Sequence, residues 1–151
     1  MINNGPTQDN PIGHTAIAVT GAGVYSFGNG TALGSSTRSY LLREAPRRNT
    51  VVTVIKTTAA QDAAAIAHLK QYKSSRLPDA ASGIIASENC ASRVSETLVA
   101  AGLSDESTIS PWNVIVLGAD AAKAQGGKNY IIPLNSTDIP AELSQFEASN
   151  K

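Results

Sequence analysis

The chain has 151 residues, the length of one domain, with 12 basic and 12 acidic side chains and no formal net charge. That balance gives no global electrostatic pull toward nucleic acid or an anionic membrane. No apolar run approaches the roughly 20 residues of a membrane span, and a single cysteine excludes an internal disulfide framework.

Residues 1–11 are polar, carry Pro6 and Pro11, and read as a loose lead-in. They have neither the basic head nor the apolar core of a signal peptide. Localisation is therefore not legible, and neither is an export route if the protein leaves its cell. From Gly13 the pattern changes. His14, Ala16 and Ala18 alternate with Thr15, Ile17 and Val19, which predicts a strand covered on both faces. Gly21-Ala22-Gly23 is a turn, residues 24–27 return as a second strand, and Gly28-Asn29-Gly30 ends the hairpin. Residues 31–37 read as a Ser/Gly/Thr loop and 38–43 as a short strand broken by Pro46. Arg38, Arg43, Arg47 and Arg48 read as a solvated basic face, with a substrate anion as the other reading.

Residues 50–56, TVVTVIK, form the clearest strand. Thr58 and Gln61 fit a capping box and open a helix to about residue 73, burying Ala63, Ile66, Ala67 and Leu69. Residues 74–82, with Pro78, are loop. In residues 86–103, ASENCASRVSETLVAAGL, the apolar Val94, Leu98 and Ala101 fall at i, i+4 and i+7, and Gly102 stands where a helix ends. Ser110-Pro111 is an N-cap followed by proline at the first helical position. A third helix over 111–124 follows, anchored by Trp112 and Leu117 and stopped by Gly126-Gly127. Residues 129–134 predict a last strand, which Pro133 places at a sheet edge or a strand end. Residues 135–151 read as a polar tail that packs loosely or frays. The whole of 1–151 is a single α+β domain, an antiparallel sheet with packed helices.

Cys90 falls in the first turn of its helix, near the unpaired N–H groups and the positive end of the helix dipole. A nucleophilic cysteine needs a base, usually a histidine from elsewhere in the chain. His14 opens the hairpin strand. His68 sits mid-helix beside Leu69 and Lys70, with no partner placed near it. One cysteine, two distant histidines and scattered carboxylates do not make a zinc set. The glycine turns lack phosphate-loop spacing and no serine sits in a nucleophile elbow. No metal or cofactor is expected.

GHTAIAVTGAGVYSFGNG resembles the histidine hairpin of the PPPDE group of cysteine peptidases, with His14 and Phe27-Gly28 in its pattern. ENCASRVSETLVAAGL resembles the same group's cysteine helix, in which Asn-Cys leads an amphipathic helix. The lecithin:retinol acyltransferase group and the permuted NlpC-type hydrolases share this histidine-first order, that of a circularly permuted papain-like fold. The likeness covers roughly residues 12–103. Ser110-Pro111-Trp112 is similar to the segment after the cysteine helix in bacterial toxin domains of this kind.

The resemblance implies a thiol hydrolase acting on an amide or isopeptide bond, with Cys90 as nucleophile and His14 as base. The Cys90 N–H would meet the oxyanion, with Asn89 as an auxiliary donor or as the helix cap. Acyltransferase-like relatives carry a polar residue, often histidine, on the return strand. Ser26 holds that position here, with Asn29 as a substitute if the strand end bends. The resemblance also implies a bacterial effector or toxin module, a protein or peptidoglycan-like amide substrate, and an immunity protein as partner. Two other readings stay open. An acyl-ester or thioester hydrolase or acyltransferase on lipid would show a wide apolar groove beside Cys90. A non-catalytic binding module would bury Cys90 as a structural residue, with no histidine nitrogen in reach.

Overall fold

The computed structural model describes residues 1–72, 75 and 88–149. The loop expected over 74–82 lies, apart from Ser75, outside them, as do Ala86 and Ser87.

Among the described residues six strands make one antiparallel sheet: β1 (Ile2–Asn4), β2 (His14–Val19), β3 (Gly23–Ser26), β4 (Thr31–Ser35), β5 (Thr50–Val54) and β6 (Lys128–Ile132). Their spatial order is β4-β3-β2-β1-β5-β6. The expected hairpin is β2–β3, with Ile17 opposite Tyr25 and Ala18 opposite Val24. Its turn needs Gly23, which has φ +76°. A Cβ there would lie 2.6 Å from the Ser35 carbonyl oxygen.

Three expectations are corrected near the N-terminus. Residues 2–4 are not a lead-in but the strand between β2 and β5, with Ile2 opposite both Ala16 and Val52. Three residues are too few to show a period, and ladder bonds from two neighbours hold them. Residues 31–35 are strand rather than loop, paired to β3 through Val24–Ser35 and Ser26–Thr31. Residues 38–43 belong to a helix, α1 (Thr37–Glu44), because the Ser36 side chain caps it by accepting from the Ser39 N–H. Thr37, Tyr40, Leu41 and Glu44 then fall at helical spacing on its buried face.

The remaining helices are α2 (Ala59–Leu69), α3 (Cys90–Ala100) and α4 (Pro111–Gln125). The Thr58–Gln61 capping box opens α2. This helix stops at Leu69 and buries Ala65 and Leu69, while Ala63 and Ala67 are exposed. Gly102, with φ +65°, follows α3. Ser110 caps α4 and Gly126 closes it in the left-handed conformation. Trp112 is not an anchor of α4. The inward stripe is Val114, Gly118, Ala121 and Ala122, and Trp112, off that stripe, is 61% exposed. Leu117 does pack against the core. β6 is an edge strand, ending just before Pro133.

The described part of the C-terminal segment, 135–149, is packed rather than frayed. A 3-10 helix, Ala141–Phe146, buries Leu143, and the Thr37 hydroxyl donates to the Phe146 carbonyl at 2.7 Å.

The sheet is covered on both faces. Ile17, Val19, Tyr25 and Phe27 meet Leu69 of α2, Val94 and Leu98 of α3 and Val114 of α4. Ile2, Ala16, Val24, Val52 and Ile132 meet Tyr40 and Leu41 of α1 and Leu143. No helix among the described residues is long and apolar enough to cross a membrane.

Candidate functional site

His14 is the first residue of β2, and its alternation with Thr15 decides which face it joins. The β2–β3 register continues to put Ser26 opposite Ala16, so His14 and Ser26 are diagonal neighbours on the α1 face. His14 Nε2 lies 2.6 Å from Ser26 Oγ, and Ser26 is fully buried. Asn4 stands opposite His14 on β1. Its Nδ2 donates to the Tyr40 hydroxyl at 2.7 Å, and its Oδ1 accepts from the Thr50 hydroxyl at 2.8 Å. Tyr40 in turn interacts with Ser26, and burial pushes its phenol up to about 12. A connected run of polar side chains thus backs His14 from β5 through β1 and α1 to β3.

Burial pulls His14 down from its ordinary 6.5 to about 4, with Arg48, Arg43 and Arg47 pushing the same way. The imidazole is therefore neutral at pH 7. The expected solvated basic face is corrected at Arg48. That residue is 6% exposed, its Nε lies 3.2 Å from Glu44 Oε2, and its Nη1 donates to the Gly5 carbonyl at 3.2 Å. The Glu44–Arg48 contact is close but not aligned as a hydrogen bond. Arg43 donates from Nη2 to the Thr31 hydroxyl at 2.8 Å, and Arg47 remains exposed.

Cys90 is the first residue of α3 and is half-buried. Asn89 caps the helix: its Oδ1 accepts from the Ala91 and Ser92 N–H groups at 2.8 and 3.0 Å. Its Nδ2 donates to the Ile109 carbonyl at 2.8 Å. Of the two roles expected for Asn89, the structure shows the helix cap, with its Oδ1 and one Nδ2–H engaged, and the residue also lines the cleft beside Cys90. The Cys90 N–H meets no acceptor among the described residues, as a first-turn N–H does not.

Cys90 and His14 line one cleft of about 380 Å³ at the end of the sheet. The start of α3 enters it from one face and the end of α1, with Glu44, Arg47 and Arg48, from the other. Asn29 also lines it. No hydrogen bond joins Cys90 to His14, because β2 turns the histidine toward Ser26 on the face away from α3. On the other side of His14 lies a second cavity, a mostly apolar groove of about 200 Å³ bounded by Ile12, Trp112 and Ile115.

His68 belongs to neither cavity. Its Nε2 lies 2.7 Å from the Tyr72 hydroxyl, which donates to Glu96 Oε2 at 2.8 Å. The Tyr72 ring stacks on Tyr25 and under the Arg93 guanidinium, so this cluster ties α2 to α3. Among the described residues no three His, Cys, Asp or Glu side chains group as metal ligands.

The sequence pointed to Cys90, His14 and Ser26 but not to Glu44, Arg47, Arg48 or the groove. The signal for α1 was there, in Ser36 followed by Tyr40, Leu41 and Glu44 at helical spacing. The chain matches no known family model, no curated protein and no solved structure.

Proposed function

We propose that the chain is a cysteine hydrolase acting on an amide or isopeptide bond, in a circularly permuted papain-like arrangement. One observation carries this reading. A half-buried thiol at a helix start and a neutral histidine held by a buried serine open on the same cleft.

In this reading Nε2–H of His14 donates to Ser26 Oγ, so Nδ1 keeps its lone pair. The Cys90 proton passes to Nδ1 as sulfur bonds to the substrate carbonyl carbon. The carbonyl π pair moves onto oxygen, which the Cys90 N–H can meet. Collapse breaks the C–N bond, and the leaving amine takes the proton from His14. Water, deprotonated by His14, then cleaves the thioester to acid and thiol. Arg43, Arg47 and Arg48 oppose a resting imidazolium, so proton transfer accompanies attack rather than preceding it. Catalytic contacts that are open in a free enzyme tighten when substrate binds.

Polar and charged side chains stand around the Cys90 cleft, among them Asp9, Asn10, Asn29, Glu44 and Arg47, and they support an amide substrate over a lipid acyl chain. The sequence resemblance extends the reading to a bacterial effector with a cognate immunity protein, and to a protein or peptidoglycan-like substrate.

The deciding experiment is the pH profile of iodoacetamide alkylation in wild type and His14→Ala, with Cys90→Ala as the unlabelled control and circular dichroism to check folding. The expected result is fast alkylation near neutral pH that slows by about tenfold or more without His14. Equal profiles in two folded proteins would overturn the proposal.

A further inference from the structure

The floor of the groove beside Trp112 is a cross-strand row in which Asn3 pairs with Thr15 on one side and Val51 on the other. Its wall is the first turns of α4, from which Trp112 and Ile115 face it, with Ile12 at the rim. Asn3 is 7% exposed and Thr15 1%. Neither end of the Asn3 amide, nor the Thr15 hydroxyl, has a hydrogen-bond partner among the described residues. Buried polar groups in folded proteins are nearly always paired, and a group without a partner calls for a reason. Ile12 and Trp112 are 59% and 61% exposed, large apolar side chains left open on either side of that polar floor.

The chemistry of the lining restricts what could fill it. No Asp, Glu, Lys or Arg lines the groove, so a charged ligand would find no counter-charge. A carboxamide offers one donor face and one acceptor face in a plane, and the group that answers both is another amide. The Thr15 hydroxyl can give or take the remaining bond. The apolar wall answers an aliphatic side chain.

We propose that this groove binds an extended polypeptide segment, seating one peptide amide on Asn3 and Thr15 and laying an aliphatic side chain against Trp112 and Ile115. His14 lines both cavities, so a bound segment would lead toward the Cys90 cleft. The proposal goes beyond the hydrolase reading and holds whether or not Cys90 is a nucleophile.

Trp112 is the chain's one tryptophan, so its emission reports occupancy directly. The experiment titrates the Cys90→Ala protein, which cannot turn over, with N-acetyl-leucyl-leucinamide. A saturable change with Kd of about 1 mM or tighter is expected for a ligand of this size. In the same background Asn3→Leu should weaken binding by about tenfold and raise Tm, because the unpaired amide is gone. Thr15→Val, of the same shape, should weaken it by about threefold or more. 4-Methylpentan-1-ol, which has no amide, should bind Asn3→Leu no more weakly than the parent. A titration that never saturates, or equal peptide affinity in the parent, Asn3→Leu and Thr15→Val, would overturn the proposal. So would a lowered Tm in Asn3→Leu with peptide binding unchanged. If Asn3→Leu does not fold, Thr15→Val decides alone. Failure of the alkylation experiment would sink the hydrolase and leave this titration standing, and a flat titration would leave the alkylation result standing.

Discussion

The cleft beside Cys90 and the groove beside Trp112 share His14 and little else. In and behind the cleft, polar groups answer one another: Glu44 lies against Arg48, Arg43 donates to Thr31, and His14 is backed through Ser26 to Tyr40, Asn4 and Thr50. In the groove no charged side chain is present, and the polar atoms of Asn3 and Thr15 answer to nothing among the described residues. Removing a group from the first region should therefore harm the fold or the chemistry that depends on it. Removing one from the second should harm only the binding of something else. Two cavities a strand's width apart can so be told apart by what a single substitution does to stability.

The largest expected difference is in catalysis. On an amide substrate His14→Ala should lower kcat/KM by about a thousandfold, mostly in kcat, since a general base contributes roughly 10²–10⁴. Trp112→Ala should act on KM and leave kcat within about twofold. Steady-state kinetics decides, and a kcat loss in Trp112→Ala as large as that in His14→Ala would erase the distinction between the cavities.

Stability gives the next contrast. Glu44→Ala leaves the Arg48 guanidinium buried without its partner, and breaking such a pair costs about 3–5 kcal/mol. Trp112→Ala removes a side chain that is mostly in water and should stay within about 0.5 kcal/mol. Urea unfolding of the two variants would show it. Comparable midpoints would mean that the ion pair does not hold the end of α1.

The acid limb of stability comes third. His14 titrates near 4 in the fold against an ordinary 6.5, so between those values the unfolded chain binds more protons. Its contribution is full above about 6.5, is lost as pH falls through 4, and amounts to roughly 3 kcal/mol. His14→Gln should flatten this part of the profile. An unchanged slope between pH 6.5 and 4 would assign the acid limb to other groups.

These contrasts were only half legible beforehand. The hairpin, β5, the α2 capping box and the Ser110-Pro111 start of α4 are local devices, written in adjacent residues, and each stands where its residues put it. β1 is the opposite case: Asn3 and Asn4 look like loop residues, and only pairing to strands ten or more residues away makes them central. Helix α1 was hidden because its inward positions include the acid Glu44, which a hydrophobic pattern skips. Trp112 misled for the reverse reason, since size and apolarity say nothing about which side of a helix faces the core. At the candidate site, the helix start at Cys90 and the strand start at His14 were legible, and Ser26 was reached only through the family resemblance. The arginines, Glu44 and the unpaired Asn3 were not, because their roles depend on contacts between distant segments.

The smallest effect is also the most discriminating about the cleft's electrostatics. Three arginines hold His14 low beyond what burial does, and Arg47 is the weakest of them. It is exposed, so its field reaches the imidazole largely through solvent. Arg47→Gln should raise the His14 midpoint by a fraction of a unit, roughly 0.2–0.5. At about 1 M salt the Debye length falls to roughly 3 Å, so the wild-type midpoint should rise and the two proteins converge. Proton NMR of the His14 ring reads both values. A midpoint that moves equally with salt in the two proteins would show that Arg47 does not act on His14, and that burial and the other two arginines alone keep the imidazole neutral.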